Sequence, residues 1–278
     1  MQTYKQTVKE LSPLLKNITH IPIKEVEILL LHIIEQNVIW LHINYNKPCD
    51  EKIQKELKKL VTKRSTDYPL EYITKRASFY GETFNVASNV LIPRPQTEIL
   101  VEKAIETLSK IQNPKVVEVG TGSGIISVML AIEVPNISII AVDINDDALT
   151  LAKQNAKKFG VEDKINFIKS DIFTNTHIKN YDMCISNPPY IKNDYKLPTN
   201  VKFEPSNALF GGNDGDELLK KIIDATYENN INYLYCEMGY DQKNPLSKYV
   251  ENYKTKSIEF YKDYEQFDRG FTVEFSYE

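Results

Sequence analysis

Nine consecutive residues narrow the folds open to this chain more than any others: Val116-Val117-Glu118-Val119-Gly120-Thr121-Gly122-Ser123-Gly124. A β-branched run passes straight into three glycines at alternate positions, and an apolar helical pattern follows over residues 125–134. Gly120 and Gly122 permit a tight turn and close approach of a ligand, and Gly124 lets the helix pack near the strand. Alone, the pattern is shared by nucleotide folds of several kinds. Its surroundings are more specific. Further apolar runs fall at 137–142, 165–168, 183–185, 233–236, 257–260 and 271–275, with helical periodicity near 146–159 and 215–228. Alternation of this kind predicts a mostly parallel sheet covered on both faces, its last two strands forming an antiparallel edge pair. Ligands of such sheets bind at the carboxyl ends of the strands. Asp143 closes the second strand, 23 residues beyond Gly120, where an acid can accept both hydroxyls of a ribose. Its alternative role, capping the next helix, falls equally to Asn145-Asp146. Asp171-Ile172 closes the third strand, in position to edge a base.

The fourth strand ends in Asn187-Pro188-Pro189-Tyr190. Neither proline has an N–H, so this turn offers carbonyl acceptors with two donors deleted. Asn187 adds a side-chain oxygen and Tyr190 a flat ring. Two acceptors beside an aromatic face suit a planar group carrying an NH2, either a base's exocyclic amine or a carboxamide. The plain reading of Pro-Pro, a strand-to-loop turn with a packed tyrosine, loses ground because of its place after a buried strand. The loop that follows, 191–215, is long and rich in Asn, Pro and Gly.

Upstream, residues 1–71 read as a small all-helical domain with apolar spacings at Val8-Leu11-Leu14-Leu15, Val26-Leu29-Leu30-Ile33-Ile34 and Ile53-Leu57-Leu60-Val61. Asp50 is placed to cap the third helix, whose outer face carries Lys52, Lys55, Lys58, Lys59, Lys63 and Arg64. Residues 72–92 read as a linking β-hairpin around Gly81, and 93–278 as the α/β domain. Within Ile92-Pro93-Arg94-Pro95-Gln96-Thr97-Glu98, Thr97 is the expected helix cap. A net charge of −4 and a pI near 5.7 provide no global basic field for nucleic acid. No apolar run has the length of a membrane span, and the first ten residues lack the core of a signal peptide. Cys49, Cys184 and Cys236, odd in number and far apart, argue against a disulfide framework or a metal site, so the expected setting is reducing cytoplasm.

Three ligand-facing strand ends followed by NPPY resemble the Rossmann-like, seven-stranded methyltransferases that use S-adenosyl-L-methionine. At full length, IPRPQTE, EVGTGSG, SNPPY, FEPSNALFGGNDG and EMGYDQ fall in the order and spacing of the HemK/PrmC family. Gln96 stands where that family usually has an acid, and the ending around Asp268-Arg269-Gly270 is only loosely similar. The resemblance implies transfer of a methyl group to the N5 amide nitrogen of the glutamine in the Gly-Gly-Gln motif of class 1 peptide chain release factors. It also implies a catalytic set of Asn187, Pro188, Pro189 and Tyr190, with the Tyr190 ring holding the substrate amide plane. The cofactor would be held by Glu118, Gly120, Thr121, Gly122, Ser123, Gly124, Asp143, Asp171, Ile172 and Asn187, without a metal. The alternatives are an amino methyltransferase acting on DNA adenine or RNA guanine, and a non-enzymatic scaffold of the same fold. The acidic pI and the lack of a target-recognition domain count against the first, and no direct nucleic acid substrate is expected. Intact glycines and an intact tetrapeptide count against the second.

Overall fold

The structure, a computed structural model, describes residues 2–277, which divide into two units. The first runs to Arg76 and takes in Leu197–Phe203. It is built from α1 (Tyr4–Leu11), α2 (Pro22–Ile34), α3 (Val38–Asn44), α4 (Glu51–Arg64) and α5 (Leu70–Thr74). Val8, Leu11, Leu15, Val26, Leu29, Leu30, Leu57 and Val61 close its core, as the helical spacing requires. Asp50 caps α4 by accepting from Lys52 N at 2.7 Å. Three expectations need correction. Leu14 is 49% exposed, because Ser12–Leu15 form a 3₁₀ turn that breaks the helical period. Arg64 does not belong to the basic outer face: it is buried against Glu25, with Nε–Oε2 at 2.6 Å. Residues 72–74 finish α5 rather than opening a hairpin, since Ile73 packs into the helical core. Among the described residues no single helix is long and apolar enough to cross a membrane.

The hairpin is confined to β1 (Arg76–Phe79) and β2 (Glu82–Asn85), not 72–92. The second unit continues with α6 (Thr97–Leu108), β3 (Lys115–Val119), α7 (Ile125–Glu133), β4 (Ser138–Asp143), α8 (Asp146–Lys158), β5 (Ile165–Lys169) and β6 (Met183–Ser186). The 191–215 loop is not structureless, as it carries the short pair β7 (Ile191–Lys192) and β8 (Phe210–Gly212). Then follow α9 (Glu217–Glu228), β9 (Tyr233–Glu237), α10 (Lys243–Val250), β10 (Thr255–Lys262) and β11 (Asp268–Phe275).

Seven strands form one sheet in the order β10-β11-β9-β6-β3-β4-β5. β9, β6, β3, β4 and β5 run parallel, and β11 is antiparallel to both β9 and β10. Successive side chains of a strand face opposite sides. Accordingly Val116 joins the core under α6–α8, whereas Val117 and Val119 join the core under α9 and α10. From β3 the chain steps outward to β4 and β5, then returns to the other side of β3 as β6. This reversal opens a crevice at the carboxyl ends of β3 and β6, and ligands of doubly wound sheets lie there.

Candidate active site

The crevice is a cleft of about 980 Å³, open solvent included. Glu118, Gly120, Thr121, Gly122, Ser123, Asp143, Asp171, Ile172 and Asn187 all line it. Gly124 does not. It caps α7 in the left-handed conformation and abuts Ala152 of α8, a packing position. At the end of β4 the Asp143 carboxylate accepts Gly122 N and Asn145 N, each at 2.9 Å. Asn145 itself caps α8 through Asp147 N, so Asp143 is released from that duty and its remaining lone pairs are available to a ligand. Burial holds the Asp143 carboxyl above its usual range, and the backbone N–H bonds pull it back. Ile172 sits at φ +49°, costly for a β-branched residue, at the cleft wall.

At the end of β6, Asn187 and Pro189 line the cleft, while Pro188 is buried outside the lining. Tyr190 is also outside it, a departure from the expected clamp. Its ring packs with the α9 side of the core, and its hydroxyl donates to Glu237 Oε1 at 3.0 Å. Arg269 reaches the same hydroxyl at 3.5 Å and is itself held by Asp263 at 2.9 Å. Gln242 donates to the Tyr190 carbonyl at 2.9 Å. Gly211 backs onto Pro189 and Tyr190 so closely that a Cβ would lie 2.5 Å from the Pro189 oxygen. Thus the EMGYDQ and FEPSNALFGGNDG segments brace the tetrapeptide from behind.

Sequence reading passed over the other cleft wall. Val90 to Arg94 line it, with Asn207 and Ala208 from the long loop. The loop is pinned there by Glu204, which is buried, pairs with Arg94 and accepts Ile92 N at 3.0 Å. Thr97, expected as a helix cap, is the first residue of α6 and makes no cap bond. Its hydroxyl donates to Glu237 Oε2 at 2.6 Å and accepts Asn187 Nδ2 at 3.0 Å. The partners are 140 and 90 residues away in sequence, so no local pattern marks the position.

A glycine turn after β3, an acid closing β4 and Asn-Pro-Pro-Tyr closing β6, on a seven-stranded sheet with a reversed strand, define an S-adenosylmethionine-dependent methyltransferase. Among solved structures, the hMettl16 catalytic domain, determined in complex with a 3′UTR hairpin, aligns with a TM-score of 0.57 at 18% identity. That alignment covers 72% of this chain and 77% of the other, and it supports the fold alone. Residues 6–74 match the PrmC N-terminal domain and residues 95–202 the methyltransferase small domain. The release factor glutamine methyltransferase of Aquifex aeolicus is 30% identical over 96% of both chains. That of Fusobacterium nucleatum is 32% identical over 94% of this chain and 75% of its own. A bifunctional methyltransferase of Rickettsia typhi is 32% identical, and this chain spans about half its length, 53%. The chain belongs to the release factor glutamine methyltransferase family.

Glu118 tests whether the cleft suits the cofactor. Its Oε2 accepts Thr121 Oγ1 at 2.8 Å, Ser127 N at 3.2 Å and the Ser127 hydroxyl. Its Oε1 is buried without a partner. An unmatched carboxylate oxygen in the wall fits the ammonium of a methionine moiety. Burial pushes this carboxyl up to about 7, against the pull of the Ser127 and Thr121 bonds. A raised carboxyl stabilises the fold fully below about 4.5 and loses that contribution as pH rises through about 7, a difference of about 3 kcal/mol. Glu118→Gln should therefore raise the Tm of the cofactor-free protein at pH 8 relative to the native chain, and the gap should close by pH 5. The same change should weaken cofactor binding at least ~10-fold, by removing the charge that would meet the ammonium. Melting curves at both pH values, with and without cofactor, check both signs.

Proposed function

We infer that this chain transfers a methyl group from S-adenosylmethionine to the N5 side-chain nitrogen of the glutamine in the Gly-Gly-Gln motif of class 1 release factors. The observation that carries the reading is the Asn187 carboxamide at the cleft wall, its nitrogen bound to Thr97 and its oxygen left to accept. A carboxamide nitrogen is a poor nucleophile because its lone pair is delocalised into the carbonyl. Position and fixed dipoles are therefore what the protein contributes. When bound, S-adenosylmethionine supplies an electrophilic methyl on its sulfonium. Glu118 would hold the ammonium, Asp143 the ribose hydroxyls and Asp171-Ile172 the edge of the base, with the Gly120–Ser123 backbone allowing close approach. Asn187 Oδ1 and the Pro188 carbonyl would accept the two N–H bonds of the substrate amide and turn its nitrogen toward the cleft. Neither group is a base. The N-methylated amide is acidic enough to shed its proton after transfer. Such positioning is worth roughly 7–11 kcal/mol, and dipoles matched to charge developing on nitrogen add to it.

Residues 1–71 would serve as the recognition domain, joined by the 72–92 segment to the catalytic domain 93–278. A single glutamine on a loop offers little area for recognition, and a second contact raises its effective concentration at the cleft. The exposed lysines of α4, Lys52, Lys55, Lys58, Lys59 and Lys63, suit an acidic surface on the factor. The cytoplasm, where release factors work, is the matching compartment. One assay tests the reading: labelled S-adenosylmethionine with an intact release factor, a short Gly-Gly-Gln peptide, ribosomal RNA or duplex DNA. Label should enter the factor efficiently and the peptide with a far lower kcat/KM. Label in RNA or DNA at a comparable rate would favour the amino methyltransferase alternative, and equal use of factor and peptide would remove the recognition domain.

A further inference from the structure

The carboxamide of Asn187 has two ends of nearly equal size, and only one of them can serve the reaction described above. With Oδ1 toward the substrate amide it accepts N–H bonds. Flipped, it would set its own N–H donors against those of the substrate. Something must choose the end.

The choice is made by Thr97, which belongs to the cleft lining, and by Glu237 buried behind it. Glu237, the last residue of β9, is buried and lies beside the end of β6, where Ser186 pairs with Cys236. Both of its oxygens accept: Oε2 from the Thr97 hydroxyl at 2.6 Å and Oε1 from the Tyr190 hydroxyl at 3.0 Å. A hydroxyl has one proton to give. Thr97 has spent its proton on Glu237, so toward Asn187 it can only accept. The 3.0 Å contact must then come from Asn187 Nδ2, which leaves Oδ1 as the end not held by Thr97. We propose that Glu237 and Thr97 are positioning residues for methyl transfer, a two-link hydrogen-bond chain that fixes the acceptor end of Asn187 toward the substrate amide. The same carboxylate holds Tyr190, so it anchors the tetrapeptide at both its first and last residues.

Loss of the first link leaves the two amide orientations close in energy and the side chain free to swing. Misplacement by about 1 Å is enough to cost roughly 100-fold in rate. The effect belongs on kcat. Neither link supplies uniform binding, so the KM for the factor and the cofactor Kd are expected to stay near their native values.

The inference rests on reading Asn187 as the acceptor for the substrate amide, and the variants separate the two claims. Thr97→Val keeps the shape and removes the hydroxyl, whereas Thr97→Ser restores it. Single-turnover rates with an intact release factor, KM and calorimetric cofactor Kd are measured for both, for Asn187→Ala, and for the double variant. Thr97→Val should be slowed roughly 10- to 100-fold with cofactor Kd unchanged, Thr97→Ser should recover most of the rate, and Thr97→Val should add nothing in the Asn187→Ala background. Should Thr97→Val not fold, Thr97→Ala makes the same comparison. Native rates in Thr97→Val or Thr97→Ala, failure of Thr97→Ser to recover, or an undiminished effect in the Asn187→Ala background would each overturn the positioning role alone. Native turnover by Asn187→Ala would overturn the underlying reading and this inference together.

Discussion

Asn187→Ala should slow methyl transfer to a release factor by roughly 100- to 1000-fold while weakening S-adenosylmethionine binding far less. The magnitude is that of losing one fixed acceptor aimed at a group on which charge develops. The selectivity for turnover follows from the division of labour in the cleft. Glu118 and Asp143 stand on β3 and β4 and the glycine turn follows β3, whereas Asn187 follows β6 and is tied to Thr97 rather than to any of them. Truncation leaves the Thr97 hydroxyl donating to Glu237 at 2.6 Å, so the buried chain behind it survives. Tyr190→Ala is a less clean probe. That ring packs in the core and its hydroxyl is held by Glu237, so its removal mixes a stability loss with any loss of rate. Paired measurement of kcat and calorimetric Kd separates the two cases. A parallel fall in both for Asn187→Ala would make the tetrapeptide a structural turn.

Gly124→Ala should lower the Tm by on the order of 10 °C, whereas Gly122→Ala should cost a few degrees and most of the cofactor affinity. The two glycines are two residues apart and face different things. At Gly124 a Cβ would lie 2.9 Å from the Cβ and 3.0 Å from the Cα of Ala152, at φ +81°. Backbone cannot yield as a flexible side chain does. Left-handed strain of about 1–2 kcal/mol and overpacking of about 1–3 kcal/mol therefore add. At Gly122 the nearest protein atom to a Cβ is Val90 Cγ1 at 3.9 Å, an ordinary contact, so the protein itself has room. The added carbon would stand in the cleft lining, and the ligand would meet it. Thermal melts and calorimetry on both variants test the assignment. Equal Tm losses, or cofactor binding intact in Gly122→Ala, would contradict it.

The contrast between these glycines shows how far sequence reaches in this chain. The sheet was legible because its strands are apolar runs closed by Gly, Asp or Asn, and their order along the chain is enough to imply a crevice at their ends. That Glu118, Gly122, Asp143 and Asn187 line the crevice was legible for the same reason. Each lies in the last two residues of a strand or in the turn after it. Thr97 and Glu237 were not recognisable as a pair, because their contact spans 140 residues and their residue types have commoner local uses. Arg64 was misread likewise: its partner Glu25 lies 39 residues upstream, and a charge on a basic helix is ordinarily a solvated one. α10 was overlooked because its buried signal is only Leu246 and Val250. Tyr190 was expected in the cleft on the strength of its neighbours in the motif, but the bonds that place it come from β9 and β11.

The central claim is that the acceptor is a glutamine amide presented by a release factor. It is tested most directly by tandem mass spectrometry of an intact factor after incubation with this enzyme and S-adenosylmethionine. One methyl group should appear, on the side-chain nitrogen of the glutamine in Gly-Gly-Gln, and it should be absent when Asn187→Ala replaces the native enzyme at matched time. Methyl on a backbone or lysine nitrogen, or a factor left unmodified by an enzyme shown to bind the cofactor, would contradict the account.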